Sequence, residues 1–181
     1  DNRNLKIVVL KFGGTSVADV PQIKKIALKI KLEIDLGYRV IVVVSAMSGV
    51  TNNLIELVKH TSDFPPYSEY DNVLSTGEQV TSALLATALD KLGIRARSWL
   101  GWQIPIVTDN TYGKSVIEKI KTDNISKDLK LNEVAVVSGF QGVSLENRIT
   151  TLGRGGSDTT AVAMAAAFLA ERCDIYTDVD G

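Results

Sequence analysis

Lys6-Ile7-Val8-Val9-Leu10-Lys11-Phe12-Gly13-Gly14-Thr15-Ser16 opens on an apolar run without polar alternation. Such a strand is buried on both faces, as in parallel sheets that carry helices on each side. The run ends at Lys11 and a glycine pair, so a cation stands where the strand gives way to a turn. Asp19 and Pro21 then announce a helix. Ile23, Ile26, Ala27, Ile30 and Ile34 recur at helical spacing, Lys24, Lys25, Lys29 and Lys31 form a solvated face, and Gly37 ends the helix. Residues 39–45 repeat the buried-strand pattern, and the turn 45–51 leads into a short helix over 52–59. Strand, helix, strand, helix predicts an α/β fold, a three-layer sandwich with helices on both faces of a mostly parallel central sheet. In such sheets ligands gather at the carboxyl ends of the strands, where Lys11, Gly13, Ser45 and Arg154 fall.

Leu152-Gly153-Arg154-Gly155-Gly156-Ser157-Asp158-Thr159-Thr160 is the second glycine-rich turn of this kind. Its glycines let the backbone adopt positive φ and approach a ligand closely. Ser157 and Asp158 open an alanine-rich run that predicts a helix over 157–171. The unpaired N–H groups of a helix N-terminus sit at the positive end of the macrodipole and favour an anion. Arg154 adds a planar guanidinium suited to a carboxylate or phosphate. A plain strand-to-helix turn, with Ser157 as N-cap and Arg154 in solvent, is the alternative. The Arg and Asp beside the glycines favour binding.

The chain between these turns is less uniform. His60, the only histidine, sits at the polar end of the short helix and reads as solvated. Residues 61–72, with Pro65 and Pro66, read as a surface loop. Ser75-Thr76-Gly77-Glu78 opens a long helix that Gly93 terminates. Ser75 and Glu78 also have capping-box spacing, which competes with a binding role for Glu78. Residues 94–100 and 104–108 read as strands, with Trp99 and Trp102 as packing residues. Gly113-Lys114-Ser115 imitates the end of a P-loop, but Thr108 stands where the upstream glycine belongs. A helix start is read there instead, with Val116, Ile117 and Ile120 as its apolar face. Residues 121–132 read as a polar loop, 133–138 as a buried strand, Asn147 as the tip of a hairpin and 174–178 as a last strand.

Composition excludes several classes of function. A net charge of −1 and the lack of a basic patch interleaved with aromatic rings give no sign of nucleic acid. No apolar run reaches membrane length and no signal-peptide pattern opens the chain. One cysteine, Cys173, allows no internal disulfide and fits a reducing interior, where it reads as a small buried hydrophobe. One Cys and one His supply neither a hydrolytic triad nor metal-ligand spacing. Two glycine turns with a Lys, an Arg, a Glu and several Asp at strand ends suit phosphoryl transfer, in which positioning and charge neutralisation dominate.

In order along the chain, Lys11-Phe12-Gly13-Gly14-Thr15-Ser16, Ser45-Ala46-Met47, Ser75-Thr76-Gly77-Glu78, Gly139-Phe140-Gln141-Gly142, Gly153-Arg154-Gly155-Gly156-Ser157-Asp158 and Thr177-Asp178-Val179-Asp180-Gly181 resemble the motifs of aspartokinases. These belong to the amino-acid kinase family. The resemblance covers the whole chain and implies that residues 1–181 are the N-terminal part of a cytoplasmic catalytic domain. It implies transfer of the ATP γ-phosphoryl to the β-carboxylate of L-aspartate, giving 4-phospho-L-aspartate, the first step toward lysine, threonine and methionine. Lys11 would neutralise the transferring phosphoryl and Asp158 would orient Lys11. Thr51, Glu78, Arg154, Gly155, Gly156 and Ser157 would hold aspartate, Arg154 at its α-carboxylate and Glu78 at its ammonium. Lys11, Gly13, Gly14, Ser45, Thr177 and Asp178 would line the nucleotide, with Mg²⁺ bridging the phosphates rather than held in a protein metal site. The acceptor carboxylate, with an ordinary pKa of ~3.9, is already ionised at neutral pH, so no general base is needed.

Aspartokinases continue into more of the nucleotide lobe and then into ACT domains that bind end products and dimerise. The 181 residues alone are therefore expected to be inactive, with any homo-oligomer formed without ACT contacts. Two further readings stand beside this one. A kinase of the same fold could act on another acid or on carbamate, although Thr51 and Glu78 speak against it. A catalytically incomplete remnant could bind only an anionic metabolite or a partner subunit.

Overall fold

A computed structural model describes residues 4–153 and 155–176, so Arg154, Thr177 and Asp178 lie outside the described residues. In chain order the elements are β1 (Ile7–Phe12), a 3-10 turn (Gly14–Val17), α1 (Val20–Asp35), β2 (Arg39–Val44), α2 (Val50–Thr61), α3 (Tyr67–Leu74), α4 (Thr76–Lys91) and β3 (Ala96–Trp99). Then follow β4 (Ile106–Thr108), β5 (Ile117–Ile120), α5 (Asp123–Lys130), β6 (Val134–Ser138), β7 (Gln141–Val143), β8 (Ile149–Thr151), α6 (Gly156–Ala167) and β9 (Arg172–Tyr176).

The central sheet has the order β3-β6-β2-β1-β9, and every neighbouring pair in it is parallel. Because successive strand residues point to opposite faces, the apolar runs split by parity. Val8, Leu10, Phe12, Val40, Val42 and Val44 pack with Ile23, Ile26 and Ile30 of α1 and Leu85 and Leu89 of α4. Ile7, Val9, Ile41, Val43, Ala135 and Val137 pack on the other face with Ile125 and Leu129 of α5 and Ala161 and Met164 of α6. Burying one such Val or Ile side chain contributes roughly 1.5–3 kcal/mol relative to leaving it exposed. Lys11 is next in the odd-numbered row after Ile7 and Val9. Its side chain therefore leaves β1 on the face that α6 covers.

The expected three-layer arrangement is present, and a second sheet of order β5-β4-β7-β8 is added to it. That addition was not foreseen. A helix is expected to start after Ser115, but residues 117–120 form β5, antiparallel to β4. Ile106 pairs with Ile120 and Thr108 with Ile117, and the register shifts between them. One extra residue in a bulge lets two isoleucines three apart pack on the same cluster, which imitates a helical spacing.

Four further expectations differ from the structure. The loop expected over 61–72 holds α3, because Pro66 sits at its N-cap, where a missing N–H costs nothing. The polar loop expected over 121–132 is α5, whose only buried side chains are Ile125 and Leu129, one turn apart. The helix after Asp158 stops at Ala167 rather than 171, with Leu169 at a φ of 54°, and β9 begins two residues early, at Arg172. Cys173 is free and only partly buried.

Candidate active site

The carboxyl ends of β1, β2 and β6 and the starts of α4 and α6 meet at one edge of the parallel sheet. Ser45 N–H donates to the carbonyl of Phe12, and Gly139 N–H to that of Val44, which ties the three loops in series. Gly13 lies beneath two functional groups: a β-carbon there would stand 2.6 Å from Lys11 Nζ and 2.9 Å from Ser45 Oγ. Glycine is needed for that close approach, since Gly13 itself is extended with a φ of −150°. Gly14 has a φ of 57° and starts the 3-10 turn.

The ammonium of Lys11 meets Oδ1 of Asp158 at 2.8 Å. The lysine side chain is 11% exposed and the aspartate 47%, so the pair sits at the rim of the sheet edge with one partner wet. The first helical turn after Gly155 and Gly156 therefore stands over β1, as the parity of Lys11 requires. Both glycines have positive φ, 82° and 27°, and a β-carbon on Gly156 would meet the Phe140 ring at 2.9 Å. Ser157 is buried beside Gly139, where a β-carbon would come within 2.6 Å of Ser157 Oγ. Ser157 does not cap α6: Gly155 is the N-cap, with no side-chain bond. Thr160, one turn on, accepts the N–H of Phe140 at 3.0 Å and locks α6 to the loop after β6.

Glu78 is the second focus. Ser75 and Glu78 do not form a capping box. Ser75 is helical, with a φ of −63°, and its hydroxyl donates to the carbonyl of Asn72. Glu78 is freed to turn inward, where it is 3% exposed. Its Oε1 accepts the Ala46 N–H at 3.3 Å, while Oε2 is buried without a partner. Burial raises its pKa to about 7, against the lowering effect of its own and the Ala46 backbone N–H groups. The loop it reaches continues through Val50 into Thr51, in the first turn of α2, and Gly77 packs against Ala46 and Val50.

Lys11, Gly13, Ser45 and Asp158 thus form one cluster, Ser157 lies beside Gly139 in the next loop, and Glu78 faces the same β2 loop from α4. Sequence reasoning missed three contributors. Gly139 lies in a quoted motif but had no role. Thr160 was one polar residue in an alanine-rich helix. Asp71 falls in the expected loop over 61–72, although its spacing from Leu74 puts an acid on the inner stripe of a short helix. Among the described residues no three His, Cys, Asp or Glu side chains are grouped to hold a metal ion, and no helix is long and apolar enough to cross a membrane.

Comparison with known proteins gives consistent matches. The Amino acid kinase family model matches residues 6–181. An aspartokinase of Rickettsia felis is 54% identical over 180 residues, 98% of this chain and 45% of the relative. An aspartate kinase of Stutzerimonas stutzeri is 54% identical over 177 residues, 98% of this chain and 43% of the relative. The chain therefore spans less than half the length of these curated relatives. Among solved structures, aspartate kinase from Synechocystis superposes with a TM-score of 0.83 at 43% identity, over 97% of this chain and 28% of that one. E. coli aspartokinase III in complex with aspartate and ADP gives 0.84 at 27% identity, over 97% and 50%.

Proposed function

The chain belongs to the amino acid kinase family, and from that footing we propose that it forms the phosphate- and acceptor-handling part of an aspartate kinase. The observation that carries the reading is Glu78. A buried carboxylate with one satisfied oxygen and one orphan is completed by a cation with several donors, and an amino-acid ammonium is such a group. Glu78 shares its sheet edge with the Lys11–Asp158 pair, so a zwitterion can place its ammonium at one focus and its side-chain carboxylate at the other. Arg154, between Gly153 and Gly155, would take the α-carboxylate, and Thr51 and Ser157 would close the acceptor pocket with Gly155 and Gly156.

In the reaction, an oxygen of the aspartate β-carboxylate attacks the γ-phosphorus of ATP. The bond to the β,γ-bridging oxygen breaks, and ADP leaves with that electron pair. Lys11 offsets the charge on the transferring group, Asp158 holds the ammonium in place, and the amides at Gly13 and Gly14, with Ser45, cradle phosphate oxygens. Thr177 and Asp178 would contribute further along the nucleotide. Phosphate-borne Mg²⁺ fits this donor set, in which the half-exposed carboxylate of Asp158 stands beside a lysine and no carboxylate cage is grouped among the described residues; the ion would supply further charge neutralisation. Product would be 4-phospho-L-aspartate, an early intermediate of lysine, threonine and methionine synthesis.

The test is ADP release and acyl-phosphate trapping by hydroxylamine, using the full-length protein with ATP and a panel of aspartate, glutamate, N-acetylglutamate and carbamate. Aspartate should exceed every other acceptor in kcat/KM by about 100-fold, since a shifted carboxylate loses both charged anchors. Preference for another acid would overturn the substrate, and aspartate binding without turnover would overturn the enzyme.

A further inference from the structure

Asp71 is a fully buried acid that the reaction above does not use. It lies on α3 and accepts three hydrogen bonds. Oδ2 takes the N–H of Thr151 at 2.8 Å and the N–H of Gly113 at 3.0 Å, and Oδ1 takes the Thr151 hydroxyl at 2.8 Å. Thr151 ends β8, two residues before Gly153. The turn held through Gly113 lies directly against that same exit, because Ser115 N–H donates to the Thr151 carbonyl and Ser115 bridges to Leu152. Even a β-carbon on Gly153 would touch Lys114, at 3.6 Å.

In the other direction, Asp71 stands seven residues before Glu78. α3 passes into α4 through a single helical residue, Ser75, so the two acids ride on one nearly continuous helical path. Gln141 Nε2 donates to the Ser75 carbonyl at 2.9 Å and fixes the joint. Asp71 therefore has one hand on the helix that carries Glu78 and the other on the strand that feeds the glycine-rich turn.

We infer that Asp71 is a positioning residue that sets the spacing between Glu78 and the turn over 153–156, and through it the affinity for the amino-acid acceptor. The inference rests on the aspartate-kinase reading for its kinetic consequence, while the spacing itself is independent of it. The role is geometric rather than electrostatic. An asparagine in the same pose would accept both N–H groups through its amide oxygen and donate its amide to the Thr151 hydroxyl. Alanine leaves the buried N–H of Thr151 and the part-buried N–H of Gly113 without their acceptor.

The experiment compares Asp71→Ala, Asp71→Asn and Thr151→Val in the full-length protein. Two measurements are made: KM for aspartate and for ATP separately, and amide hydrogen exchange. Asp71→Ala should raise the aspartate KM at least tenfold while the ATP KM moves less than twofold. Asp71→Asn should stay within threefold of the parent, and Thr151→Val, which removes only the hydroxyl bond, should raise the aspartate KM about threefold. Exchange should quicken over 153–156 in Asp71→Ala and stay unchanged in β1 and β2. Equal shifts of both KM values, a poor Asp71→Asn, or unchanged exchange at the turn would overturn the inference. Should Asp71→Ala fail to fold, an unaltered aspartate KM in Thr151→Val overturns it alone. A parent protein without aspartate turnover would sink the kinase reading, and the exchange measurement would still decide the role of Asp71.

Discussion

The two foci of the site treat their carboxylates in opposite ways. Asp158 is half exposed, and its Oδ1 is ion-paired with a lysine ammonium at 2.8 Å. Glu78 is buried and half matched, with one backbone N–H at 3.3 Å and an oxygen left over. Water and Lys11 keep the first acid comfortable whether or not a ligand is present. The second, when ionised, is held at a cost that a bound cation or a proton removes. On the proposed reading, the Lys11 end would be pre-neutralised for a phosphate that arrives with its own charge, and the Glu78 end would be left short of a positive charge for the substrate to bring.

The largest effect should come from breaking the neutralised end. Lys11→Met keeps the buried stem and removes the charge. The kcat should fall by about 10³-fold, the cost of losing one preorganised charged donor at a transferring group, while the aspartate KM changes little. The melting temperature should hardly move, because Asp158 can turn to solvent. A loss confined to aspartate KM would erase the distinction between the two foci.

Glu78→Gln breaks the other end and should separate binding from stability. Losing a charge-assisted bond to the ammonium should raise the aspartate KM about 10–100-fold, with a smaller fall in kcat. The same change removes an underpaired buried carboxylate, so the melting temperature at pH 8 should rise by a few degrees. Thermal denaturation of the two proteins side by side checks this. A drop in melting temperature would mean that Glu78 is well satisfied in the empty protein.

How much of this was legible varies across the molecule. The parallel sheet was readable because its strands are buried on both faces: Ile7 to Leu10 and Val40 to Val44 are short, continuous and mostly β-branched apolar runs, which suits buried strands rather than helices. Lys11, Gly13 and Ser45 were readable as neighbours, since turns after parallel strands share the carboxyl edge. Asp158 beside Lys11 was legible only through the family resemblance, because the turn before it follows β8 of the second sheet. The second sheet was not, because its strands are three or four residues long and a bulge gave Ile117 and Ile120 a false helical interval. α5 was hidden by having only two buried side chains among charged ones. Glu78 was ambiguous for a subtler reason. Its spacing from Ser75 satisfies a capping box, and only tertiary structure shows that α3 runs into α4 and leaves no N-terminus there to cap.

The smallest effect is also the most direct probe of the half-matched acid. With its pKa raised to about 7 by burial, Glu78 in the empty protein is mostly protonated at pH 6 and mostly ionised at pH 8. Only the ionised form can hold an ammonium, so the aspartate KM should rise about tenfold for each pH unit below 7 and level off above it. Stability runs the other way. The folded chain binds a proton at Glu78 more tightly than the unfolded chain, whose ordinary value is 4.5, so this residue's contribution is complete below 4.5 and is lost as pH rises through 7. The melting-temperature gap between Glu78→Gln and the parent should therefore be small at pH 5 and widen toward pH 8. The slope in aspartate KM should vanish in the same variant. A pH-independent KM in the parent would show that Oε2 already has a cationic partner in the full-length protein, and the contrast between the two carboxylates would then disappear.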